Sequence, residues 1–204
     1  MLFIYFYSVF SGILLNFFSS VPVPPLRSLS FEVGLGSTIN QNNLQGRLLI
    51  VLSKDTVGEP RFQVNDGLRT QQIFGLDVEG WEQPNKIKLN ETILGYPLAS
   101  LKEVPPGTYR AQAVLHIYET VKLQTGQTIK VPMDRGEGQH WNQAPGNLYS
   151  IPVKIEIKNS GTQLFKINLN QTIPAIEQPA DTKYIKHLKI QSKLLSDFWG
   201  RPMY

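Results

Sequence analysis

The sequence predicts an all-β protein, an immunoglobulin-like β-sandwich. Three observations carry that expectation. Apolar residues recur mostly at every second position, as in "LSFEVGLG" (Leu29, Phe31, Val33, Leu35), the period of a strand with one buried face. Sixteen glycines and fourteen prolines punctuate the chain, which suits short elements joined by turns better than long helices. Finally, "VPPGTYRA" sets a Pro-Pro-Gly turn before a strand whose early side chain is Tyr109, with Ala111 two residues on. In immunoglobulin-like sandwiches a tyrosine so placed returns its hydroxyl to nearby backbone, and the position two further on holds a disulfide cysteine in antibodies. Alanine there, and no cysteine anywhere, make this a disulfide-free sandwich.

The elements follow in order. "RLLIVLS" (Arg47 to Ser53) is a continuous apolar run, expected of a strand buried on both faces. "QIFGLDVEG" and "KIKLN" are shorter strands, separated by turn signals at Asp66-Gly67, Glu79-Gly80 and Pro97. The clearest strand is "GTYRAQAVLHIYETV", with Tyr109, Ala111, Ala113, Leu115 and Ile117 inward and Arg110, Gln112, His116 and Tyr118 outward. "TIKVP", "YSIPVKIEIK" (Val153, Ile155, Ile157) and "QLFKINLNQ" (Leu164, Ile167, Leu169) complete roughly eight or nine strands. Beyond them "TIPAIEQPADTKY" is a proline-punctuated linker, "IKHLKIQ" alternates as a further strand, and "SKLLSDFWG" is a short helix with a Ser cap and Gly200 at its end.

The organisation is therefore tripartite. Residues 1–25 form an export signal or hydrophobic anchor, because "MLFIYFYSVFSGILLNFF" is uncharged throughout and is broken by "SSVPVPP". Residues 26–172 are the sandwich, and residues 173–204 are linker, strand and helix. A strand and helix with little to pack against lead us to expect a chain cut before a further domain. Hydrophobic residues at 41% and charged ones at 18% describe a chain that folds. The net charge of +4 sits in the tail, where Lys183, Lys186, Lys189, Lys193 and Arg201 stand against Asp197. This argues against a basic nucleic-acid-binding face. Membrane contact is expected only through the N-terminal segment. Asn90-Glu-Thr92 and Asn170-Gln-Thr172 fit the N-glycosylation triplet, which carries meaning only in a eukaryotic secretory pathway.

The densest chemistry lies in "MDRGEGQHWN". Asp134, Glu137 and His140 are spaced as candidate ligands of a divalent cation, or as acid and base, but they match no calcium or zinc spacing and no nucleophile accompanies them. No G-x-S-x-G elbow, P-loop, G-x-G-x-x-G or H-E-x-x-H occurs, so we assign no catalytic residue, metal or cofactor. Asp134, Arg135, Glu137, His140, Trp141, Tyr149 and Trp199 are instead candidates for contact with a ligand or a neighbouring domain. A carbohydrate-binding or adhesion module would use Trp141, Tyr149 and Trp81 as one exposed patch. In the plainest reading Arg135 pairs with Asp134 or Glu137, and Trp141 and Trp81 cover the sandwich.

The blocks "GRLLIVLSKD", "EPRFQVND", "QIFGLDVEGW", "LGYPLASLKEVPPGTYRAQAVLHIYETV", "MDRGEGQHWNQAPGNLYS" and "KHLKIQSKLLSDFWGRPMY" resemble the N-terminal part of exported bacterial esterases. Those proteins are similar to the enterochelin-esterase group of α/β hydrolases. The resemblance covers about Gly46 to Tyr204. It implies a sandwich followed by a serine-hydrolase domain beginning near "FWGRPMY", with nucleophile, acid and histidine in that later domain. No catalytic residue carries over to this chain. What the resemblance implies here is a noncatalytic module whose partner is its own hydrolase domain.

Overall fold

A computed structural model describes residues 27–204, so the expected export segment lies outside the described residues. Eleven strands run in chain order: β1 (Arg27–Leu35), β2 (Leu44–Ser53), β3 (Gln72–Trp81), β4 (Ile87–Leu89), β5 (Leu94–Tyr96), β6 (Gly107–Lys122), β7 (Thr128–Pro132), β8 (Leu148–Tyr149), β9 (Val153–Ile157), β10 (Gly161–Leu169) and β11 (Gln171–Thr172). One α-helix among the described residues, α1 (Lys193–Trp199), follows. No helix among the described residues is long and apolar enough to cross a membrane.

The strands form an all-β sandwich. The smaller sheet has the order β10-β1-β4, and the larger runs β11-β8-β6-β2-β3-β5. The sixteen-residue β6 is the spine of the larger sheet. One edge pairs with β2, while successive stretches of the other take β9, β8 and β7. Its length follows from its sequence, since no Gly or Pro interrupts Thr108 to Lys122.

Burial follows the period-two pattern. Leu29, Phe31 and Val33 of β1 face Leu48, Ile50 and Leu52 of β2 and Tyr109, Ala111, Ala113 and Leu115 of β6 in one core. Each large apolar side chain removed from water there stabilises by about 1.5–3 kcal/mol. Leu48 to Leu52 are all buried, as the continuous run required. The corner forms as well: Tyr109 Oη donates to the carbonyl of Pro105 at 2.8 Å.

Three details differ from expectation. In β10 the inward residues are Phe165, Ile167 and Leu169, and Leu164 points to solvent at 44% exposure. Phe165 is aligned with Phe31 across the parallel β1–β10 pair, its ring 5.6 Å away, and this sets the parity. Val153 is likewise exposed while Ile155 and Ile157 are buried. The third difference is that "IKHLKIQ" forms no strand. Its alternation is real, but it pairs with no strand of either sheet, and a strand needs a neighbour to satisfy its backbone.

Helix α1 is present and capped as predicted. Ser192 Oγ accepts from the amide of Leu195, and Gly200 closes the helix at φ 63°. That glycine also fixes where the tail lies. A Cβ at residue 200 would sit 2.7 Å from the carbonyl oxygen of Lys122, and the Gln124 amide donates to Phe198 O at 3.0 Å. The tail is thereby tied to the β6–β7 hairpin.

Candidate functional site: a pinned polar loop and the cleft beside it

The segment from Met133 to Asn147 leaves β7 and returns to β8, and its two halves are ordered differently. In the first half short side chains close local turns. Asp134 Oδ1 accepts from the Gly136 amide at 2.8 Å, and Glu137 Oε2 accepts from the Arg135 amide at 2.7 Å. Both carboxylates serve backbone, so the expected pairing of Arg135 with Asp134 or Glu137 does not form between side chains. The guanidinium crosses to Glu119 of β6 at 2.6 Å and donates to the Pro145 carbonyl at 2.9 Å. Arg135 thus staples the loop to its own far end and to the sheet.

The second half is held by a cluster that sequence reasoning missed. Arg61, in the 3-10 turn Pro60–Phe62, is 8% exposed, and Gln112 of β6 is fully buried. Gln112 accepts from the Arg61 amide at 3.0 Å and donates to Glu59 Oε2 at 2.7 Å and to the Ser150 carbonyl at 2.9 Å. The Arg61 guanidinium bonds Glu59 at 2.8 Å and the Asn142 carbonyl at 3.1 Å, and stacks 4.0 Å from the centroid of Tyr149. Asn142 Nδ2 returns a bond to Arg61 O at 3.0 Å. Asn147 accepts from the Ile117 amide at 2.9 Å and donates to the Trp141 carbonyl at 2.8 Å. Burying these polar groups is tolerable because each finds a partner. The signal for the cluster was Gln112, a polar residue amid the most apolar stretch of β6.

His116 of β6 lies beside this loop, edge-on to Tyr118 with ring centroids 5.3 Å apart. Burial pushes its imidazole below the ordinary histidine value, and the nearby Glu137 carboxylate offsets part of that.

The structure separates the sequence candidates into three environments. Asp134, Arg135 and Trp199 line one cleft of about 1080 Å³ between the polar loop and the C-terminal tail. Tyr149 and Trp141 belong to the pinned half of the loop, Tyr149 under the Arg61 guanidinium. His140 is exposed, and its carbonyl accepts from the Gln143 amide. Among the described residues no three His, Asp or Glu side chains converge, so Asp134, Glu137 and His140 do not make a ligand set. Trp81 corrects the sugar-platform reading. It is 2% exposed in the sandwich core, its Nε1–H donating to Asn85 O, and cannot share an exposed patch with Trp141 and Tyr149.

The class this geometry defines is an all-β sandwich with a pinned polar loop and a tail-walled cleft. No family model, no curated protein and no solved structure matches the chain.

Proposed function

We propose that the chain is a noncatalytic β-sandwich module that packs against the hydrolase domain of an exported esterase and shapes the approach to that domain's active site. The observation that carries the reading is the surface of the C-terminal tail. Tyr184, Ile185, Ile190, Leu194 and Leu195 are all 50–85% exposed on a segment anchored at the β6–β7 hairpin. Exposed apolar side chains gathered on a held segment mark a docking surface. The amides of Leu188, Lys189, Ile190 and Gln191 also lack backbone partners among the described residues, which leaves them free to pair with another chain segment.

The test is direct binding. The full chain is mixed with a separately expressed hydrolase domain of an enterochelin-type exported esterase, and association is followed by calorimetry and size-exclusion chromatography. A complex that Ile190→Ser and Leu194→Ser weaken is the expected result; no association at high micromolar concentration removes the proposal.

A further inference from the structure

We propose that the cleft between the polar loop and the tail is a binding site for an oxyanion carried on a flat apolar body, such as an aryl phosphate or aryl carboxylate. This goes beyond the docking surface above, with which it shares Leu188 and Lys189, and needs only this chain.

Charge comes first. Lys189 and Arg201 both line the cleft, and neither meets a carboxylate among the described residues. Arg135 adds a third cation, its charge shared with Glu119. Asp134 is the carboxylate in the lining, and one of its oxygens is committed to the Gly136 amide. His187, also in the lining, is turned to Asp181 at 3.5 Å. Counted by the side chains of the lining, Arg135, Lys189 and Arg201 stand against Asp134.

Within this lining Arg201 carries the strongest signal. Its Nε–H is shielded from solvent and has no acceptor among the described residues. No hydrogen bond from its side chain is made among the described residues, so the planar guanidinium fork is left to match a carboxylate or phosphate entering the cleft.

The turn that presents Arg201 is built, not loose. The Arg201 amide donates to Ser196 O at 3.2 Å, the Met203 amide to Ser196 Oγ at 3.0 Å, and the Ser192 amide to Met203 O at 2.8 Å. With Gly200 seated on Lys122, the backbone that carries Arg201 is held in place before any ligand arrives. Preorganisation of this kind reduces the ordering cost of binding.

The walls decide the rest of the ligand. Trp199 and Tyr204 line the same cleft, and the Lys189 ammonium lies 4.2 Å from the Tyr204 ring centroid. A cation held against an aromatic face beside a second aromatic wall favours a planar body bearing negative charge. The volume of about 1080 Å³ admits a ligand of ordinary metabolite size.

The experiment titrates the full chain with phenyl phosphate, benzoate and inorganic phosphate, reading the Arg201 Nε–H signal by NMR. Saturable shifts with phenyl phosphate or benzoate, at least about tenfold tighter than with inorganic phosphate, are expected. Arg201→Gln should weaken binding by about tenfold or more and Lys189→Gln by about threefold, while Lys158→Gln, on the β9–β10 connection, changes nothing. Hydrogen exchange of residues 192–203 at the parent's rate shows that the tail of the variant keeps its fold. Should that variant misfold, Lys189→Glu provides the same test. Shifts that never saturate, or full affinity in folded Arg201→Gln, overturn the site. Equal affinity for inorganic and phenyl phosphate overturns the flat-body assignment.

Discussion

The guanidinium of Arg61 sits over the ring of Tyr149, 4.0 Å from its centroid, and joins two segments distant in sequence. The same group reaches Glu59 and Asn142, so one side chain fastens the second half of the polar loop to the outer face of the larger sheet.

Arg61→Ala should therefore cost about 2–3 kcal/mol, the sum of a desolvated cation–π contact and lost charge-assisted hydrogen bonds. Urea unfolding measures it. Arg61→Lys should recover little, because an ammonium cannot stack and fork at once. A lysine variant as stable as the parent would show that charge alone matters here.

Tyr109→Phe removes the hydroxyl that closes the corner onto Pro105 and leaves the ring in the core. We expect a loss of about 1 kcal/mol, seen as a lower urea midpoint with unchanged slope. An unchanged midpoint would mean the corner bond contributes nothing beyond what water offers the unfolded chain.

His116 gives a pH dependence of definite sign. Its folded pKa lies below the ordinary 6.5 because burial disfavours the imidazolium. As pH falls through 6.5 the unfolded chain takes up the proton first, so stability is full above that value, declines below it, and levels off beneath the folded pKa. Unfolding midpoints at pH 7.5 and 5.5 should differ in that direction, and His116→Gln should flatten the difference. The nearby Glu137 works against the shift, so Glu137→Gln should steepen the dependence.

Gly200→Ala tests the anchoring of the tail. The left-handed backbone at φ 63° costs an alanine about 1–2 kcal/mol, and the new methyl would press on the Lys122 carbonyl. Hydrogen exchange of residues 192–203 should accelerate while the global urea midpoint stays fixed. Equal loss throughout the sandwich would mean that tail and core unfold together.

The sandwich was legible because its signals are local. "RLLIVLS" announces a strand covered on both sides, and the Pro-Pro-Gly turn before Tyr109 announces the corner. Alternation reports which face of a strand is buried but not which neighbour it has. That is why "IKHLKIQ" read as a strand yet pairs with no edge, and why Leu164 took the place that Phe165 holds against Phe31. The chemistry of "MDRGEGQHWN" was visible only as composition. Which groups it meets depends on Glu59, Arg61, Gln112 and Glu119, residues brought to it by the folded sheet. The cleft was hidden for the same reason, since Asp134 and Arg201 face it from segments far apart in the chain.

The parallel pairing of β1 with β10 has a consequence for how the protein is made. Phe31 and Val33 are completed as core residues by a strand near the far end of the sandwich sequence. During synthesis β4 can cover one edge of β1 early, but the other edge stays open until residues 161–169 emerge. Contacts so distant along the chain fold slowly. Through that interval β1 is the segment most in need of a chaperone's shelter.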